Sequence, residues 1–135
     1  MLTIKPIQDK NEQEKLCQIC GVLFNYNSLA YRADDGEFIG VCQFYFDSEK
    51  AYIENLAYAP NMKDTEAMII MLRAAMNFLF RCGIEHAYLI DASIDDDILK
   101  MSAFSKDEND VLYINLKKFY ISPCHYNKDD NKKVD

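Results

Sequence analysis

The sequence is short of several things at once. It has no Trp, two His, four Gly and three Pro in 135 residues. With no repeat and no Gly- or Pro-rich linker, nothing divides the chain, and one domain is expected. Basic residues are outnumbered, 15 Lys and Arg against 22 Asp and Glu, for a formal charge of -7. A nucleic-acid partner is therefore not expected, since phosphate binding is driven by counterions released around a Lys/Arg surface. The longest apolar run, Ala67 to Phe80, is broken by Arg73 and Asn77 and is too short to span a bilayer, so no membrane association is expected. The opening residues, Met1-Leu2-Thr3-Ile4-Lys5-Pro6, lack an apolar signal core. The five Cys (17, 20, 42, 82 and 124) form an odd set, which together point to reduced thiols and a cytoplasmic location.

Metal-binding patterns are also missing. His86 and His125 have no ligand spacing between them. Cys17-x-x-Cys20 would need two further ligands for zinc, and Cys124-His125 is the only adjacent pair. Leu16, Cys17, Ile19 and Cys20 read instead as the packed side of a helix. Asp95-Asp96-Asp97 reads as a helix start, where acids complement the dipole. No metal is expected.

What is present is a packable composition, 50% hydrophobic and 27% charged. Leu2 to Ile7 predicts a first strand, and Asp9 or Asn11 caps a helix running to about Cys20 and left at Gly21. Asn25 to Ser28 predicts a loop. Leu29 to Arg32, the Asp34-Asp35-Gly36 turn, Glu37 to Phe46, the Asp47-Ser48-Glu49-Lys50 turn and Ala51 to Tyr58 predict a three-strand antiparallel meander. Strict alternation puts Phe38, Gly40, Cys42, Phe44 and Phe46 on one face of its middle strand, and Ile39, Val41, Gln43 and Tyr45 on the other. Ala59-Pro60-Asn61 stops the last strand. Asn61, Asp64 and Thr65 are candidate caps for a long helix from about Asp64 to Cys82, apolar around most of its circumference through Met68, Met71 and Met76 among others. Ala87 to Ile90 predicts a strand parallel to the one before that helix. A short helix to about Phe104, a polar loop over Ser105 to Asp110, a final strand over Val111 to Ile121 and a frayed polar tail over 127–135 complete the chain. The fold class is α/β with a mixed sheet: an antiparallel meander followed by a β-α-β crossover, in one domain over residues 1–126.

This order resembles the GNAT superfamily of acyl-CoA-dependent N-acetyltransferases from about Leu2 to Ile121. Gly36-Glu37-Phe38-Ile39-Gly40 is similar to the family's "G-E-x-x-G". Ile53-Glu54-Asn55-Leu56-Ala57-Tyr58-Ala59-Pro60 is similar to its fourth strand, and Ala67 to Gly83 to its long helix. The resemblance implies that the fourth and fifth strands splay apart around a pantetheine arm, with pyrophosphate on the N–H groups at the long helix's start. The implied acetyl-CoA contacts are Leu56 and Tyr58 on the strand and Met62, Lys63, Asp64, Thr65, Glu66 and Ala67 in the turn. Lys63 replaces the family's leading Arg or Gln, while Asp64 and Glu66 stand at the two glycine positions. Those carboxylates compete with phosphate for helix donors and repel it. Glu54 is the implied general base. The family's acid is a Tyr before a "G-F"; here Ala103-Phe104 places Leu99 there, leaving Tyr113 or Tyr120 as substitutes.

The expected function is transfer of an acyl group from acyl-CoA to a small-molecule or peptide amine, weak or altered because the pyrophosphate motif is degenerate. The alternative is a non-catalytic GNAT-like binding module that has lost acetyl-CoA binding. A homodimer is a further expectation, paired through the apolar face of the last strand, Tyr113, Phe119 and Ile121.

Overall fold

The computed structural model describes residues 1–91 and 94–121. The predicted tail and the Cys124-His125 pair lie outside them. Eleven elements follow one another: β1 (Thr3–Pro6), α1 (Lys10–Cys20), β2 (Leu29–Asp34), β3 (Phe38–Asp47), β4 (Lys50–Tyr58), α2 (Thr65–Arg81), β5 (His86–Leu89), α3 (Asp96–Met101), β6 (Ser105–Lys106), β7 (Leu112–Asn115) and α4 (Leu116–Ile121). The strands form one sheet in the order β1-β2-β3-β4-β5-β7-β6. All neighbours are antiparallel except β4 and β5, which are parallel across the α2 crossover.

Local chemistry explains the ends of the helices. Asp9 caps α1 by accepting from the Asn11 N–H, and Gly21 closes it in the left-handed conformation at φ 72°. Asp64, of the three candidate caps, starts α2 by accepting from the Ala67 N–H at 3.0 Å. Gly40 answers to a different constraint: a Cβ there would lie 2.5 Å from the Ala57 carbonyl oxygen and 3.0 Å from the Met68 sulfur. Only a glycine lets β4 and α2 approach so closely.

The sheet separates two apolar layers. The larger lies under α2, where Met68, Met71, Leu72, Ala75, Met76 and Leu79 are buried against Cys42, Phe44, Ile53, Leu56 and Ala87. Each fully buried large side chain there contributes about 1.5–3 kcal/mol. α3 and α4 pack against α2 on this side. The smaller layer lies under α1 and joins Ile7, Leu16, Ala30 and Val41. α1 packs over β2 and β3 through these residues.

Four expectations are corrected. The final strand ends at Asn115, whose side chain accepts from the Lys118 N–H and starts helix α4 over residues read as strand. The polar loop contains a two-residue strand, β6, paired with β7. On α1 the buried positions are Gln13, Leu16 and Cys17, while Ile19 is 49% exposed. Alternation along β3 fails at its start: Gly40 pairs with Ala33 but Phe38 with Asp34, so Ile39 is an extra residue. This bulge swings Ile39 into the larger core and leaves Phe38 beside the smaller one, under the Arg32 guanidinium.

Candidate active site

The site grows from a second bulge. Gln43 pairs with Asn55 and Phe44 with Ile53, so Glu54 is the extra residue of β4. A bulge breaks the ladder and re-aims a side chain. Here it sends the Glu54 carboxylate toward the loop between α1 and β2. Asn25 Nδ2 donates to both carboxylate oxygens, at 3.3 and 3.1 Å, and Ser28 Oγ donates to one of them.

That loop is itself held from below by polar side chains inside the structure. Gln13, Gln43 and Ser28 are all fully buried. Gln13 Nε2 donates to Gln43 Oε1 at 2.9 Å, Gln43 Nε2 donates to the Leu23 carbonyl at 2.8 Å, and the Asn25 N–H donates to Gln43 Oε1 at 3.2 Å. Lys10 Nζ donates to the Ser28 carbonyl and, at 3.1 Å, to Gln13 Oε1. Every donor facing Glu54 is thus neutral and pre-oriented. Glu54 also acts on its surroundings: burial first, then its charge, pushes the Cys17 thiol up to about 11.

Past Glu54 the sheet opens. The β4–β5 ladder runs from Lys50/His86 to Ile53/Leu89, and the Ile90 N–H adds one bond to the Ile53 carbonyl at 3.0 Å. Further on, the Leu56 N–H donates to Asp91 Oδ2 at 3.3 Å instead of to a strand. Tyr58 packs against the larger core, and its hydroxyl is buried without a hydrogen-bond partner among the described residues. Beyond β5 lies a cavity of about 490 Å³, walled by Ile90, Asp91, Ile94, Leu99, Lys106 and Val111, among others.

The turn before α2 has the opposite electrostatics. Met62 packs on the core, Thr65 is half-buried, and Ala67 is buried. Asp64 already occupies the Ala67 N–H, and exposed Glu66 stands in the first turn. Lys63 is tied to the start of α3, with its ammonium 2.8 Å from Asp95 and 3.5 Å from Asp97. The Lys63 contact holds the Asp95 carboxyl below its ordinary range, and Asp95 in turn raises Lys63.

The structure therefore gathers Glu54, Leu56 and Tyr58 along one strand and keeps Met62 to Ala67 as a separate acidic turn. Leu99 does line the cavity, but neither substitute tyrosine joins it. Tyr113 accepts or donates a 2.7 Å hydrogen bond with His86 Nδ1, and Tyr120 stacks on Phe80 at 4.8 Å. Phe119 and Ile121 belong to α4, so the proposed strand face with Tyr113 does not exist. Asn25, Ser28, Gln13, Gln43 and Asp91 were not anticipated. Gln43 carries the one readable signal, a lone amide between Cys42 and Phe44 in an apolar strand. Among the described residues no cluster of His, Cys, Asp and Glu could hold a metal, and no helix is long and apolar enough to cross a membrane.

This is the GNAT acetyltransferase fold: a mixed sheet with a single parallel pair that opens beyond a bulged fourth strand. A ribosomal-protein-alanine N-acetyltransferase from Escherichia coli superposes with a TM-score of 0.65 at 12% identity, over 86% of this chain and 94% of that one. A dodecameric spermidine N-acetyltransferase from Vibrio cholerae gives 0.65 at 11% identity, over 89% and 96%. An N-acetyltransferase from Thermoplasma acidophilum, solved with coenzyme A, gives 0.61 at 14% identity, over 82% and 97%. No family profile and no curated protein sequence matches the chain.

Proposed function

We propose that this protein transfers an acyl group from acyl-CoA to an amine, with Glu54 as general base. The observation that carries the reading is Glu54 itself, a carboxylate put out of register by a bulge and held by neutral donors beside the opening of β4 from β5. Such a group is fixed in place yet keeps its charge available to an incoming ammonium. The coenzyme A-bound neighbour supports the donor class, and the spermidine and protein-alanine enzymes support amine acceptors.

The amine nitrogen attacks the thioester carbonyl carbon, and its proton passes to Glu54. The C–S bond then breaks and the new amide forms. Leu99 offers no proton, so the departing thiolate takes one from solvent. The acyl carbonyl and pantetheine amides would use the β4 edge at Leu56 to Tyr58. The Leu56 N–H becomes available when the Asp91 carboxylate moves off it.

The fit is uneven along the donor. The β4 edge and the buried Tyr58 hydroxyl offer polar groups to a pantetheine chain. The turn from Met62 to Ala67 suits a pyrophosphate poorly, because Asp64 takes the cap donor, Glu66 stands in the first turn of α2, and Lys63 is paired with Asp95 and Asp97. Affinity for acyl-CoA is therefore expected to be modest. Calorimetric titration of acetyl-CoA at low salt tests this. Binding in the micromolar range, about -8 kcal/mol, upholds the reading. No heat and no thermal shift at millimolar acetyl-CoA would end it.

A further inference from the structure

The sheet face that carries Glu54 is packed by α1 over β2 and β3, and Ile90 and Val111 on its far side are exposed. Strand register defines what the uncovered part displays, since side chains two apart along a strand share a face. One row runs across β3, β4, β5 and β7 as Tyr45, Tyr52, Tyr88 and Tyr113, with ring centroids 5.1, 5.6 and 5.3 Å apart. The next row toward the opening holds Glu54, then Ile90 and Val111, which are 47% and 37% exposed and wall one cavity. The row on the other side holds Asp47, Lys50 and His86. An apolar floor thus borders the Glu54 carboxylate, while Asp91 and Asp110 line the cavity that Ile90 and Val111 wall.

We infer that this open face is the acceptor-binding surface, and that it selects a primary amine carried on an aromatic or branched apolar body. The inference rests on Glu54 being the acceptor-side base. The ammonium pairs with Glu54 while the body covers Ile90, Val111 and the tyrosine edges, removing apolar surface from water. Other charges also border the floor: Asp47, Lys50 and Asp107 on one side, and Asp91, Lys106 and Asp110 at the cavity walled by Ile90 and Val111.

Calorimetry without acyl donor reads the surface directly, using 2-phenylethylamine, ethylamine and spermidine as probes. Wild-type protein is expected to bind 2-phenylethylamine at least about tenfold more tightly than ethylamine, the scale of one buried side chain. Ile90→Ser is expected to erase that preference, and Tyr88→Ser to do the same if it folds. Equal affinity for the two monoamines, or spermidine bound most tightly with no effect of Ile90→Ser, would overturn the inference. So would a dimer in sedimentation that Ile90→Ser splits, since a second copy would then own the face. Parallel turnover assays with acetyl-CoA separate the two readings. Selective binding without turnover upholds the surface and sinks the acetyltransferase. Turnover indifferent to Ile90→Ser sinks the surface alone.

Discussion

The two ends of the β4 opening handle charge in opposite ways. At the bulge, one carboxylate is met by an amide and a hydroxyl, both neutral, both fixed by a buried glutamine pair. At the start of α2, a helix terminus able to hold an anion is filled by the chain's own carboxylates. The first arrangement leaves a negative charge in search of a cation. The second leaves helix donors with little need of an anion. A GNAT fold can therefore carry a positioned carboxylate on its fourth strand together with an acid-filled helix start. The two features sit on different elements and can change independently.

The sharpest way to break this contrast is Glu54→Gln. The amide keeps the shape and cannot take a proton, so turnover should fall by about 10²–10⁴-fold with acetyl-CoA binding unchanged. Retained turnover would remove Glu54 as base.

Gln43→Leu comes next. It leaves the Gln13 amide and the Asn25 N–H without their shared acceptor inside the structure, which costs about 1–3 kcal/mol in urea unfolding. A variant as stable as the parent would show that the network does not hold the loop.

Asp64→Gly with Glu66→Gly addresses the other end. A charge about 4 Å from a phosphate is worth about 1 kcal/mol in water, so CoA should bind roughly fivefold more tightly for each acid removed, less as salt rises. Unchanged affinity would mean that the acids do not govern the site.

The smallest effect concerns the Lys63–Asp95 clamp. Asp95 is shifted down by Lys63, so its share of stability is present above the ordinary carboxylate range and fades as pH falls through the lowered value. Lys63 is shifted up, so its share persists until pH rises through the raised value. Lys63→Gln should lower the melting temperature slightly on the plateau between those limits and not at all in strong acid. A difference that persists in strong acid would rule out the ion pair as its source. Lys63 is exposed and Asp95 only half-buried, so the plateau difference is small.

Much of the architecture was legible. The three-strand meander, the capped α1 and α2, the Asp-Gly turn and the parallel crossover all follow from periodicity and punctuation, and Glu54 was singled out. The end of the chain was misread because Leu116, Phe119 and Tyr120 suit a strand by composition. The short helix forms because the Asn115 side chain starts it and α2 offers Phe80 to stack on. The glutamine network was invisible for a related reason. Gln13 and Gln43 are 30 residues apart, and neither reads as functional until the fold joins them.

The sequence alone determined most of the strands and helices up to β5, the acidity of the turn before α2, and the absence of glycine from it, because propensity, capping and charge act over a few residues. Only the tertiary structure decided the two bulges, since each appears as an extra residue solely when two strands are paired. It alone turned Ile39 into the core and Glu54 toward Asn25 and Ser28. It also laid four tyrosines from four strands in one row, because register is a property of the sheet and not of any strand in it.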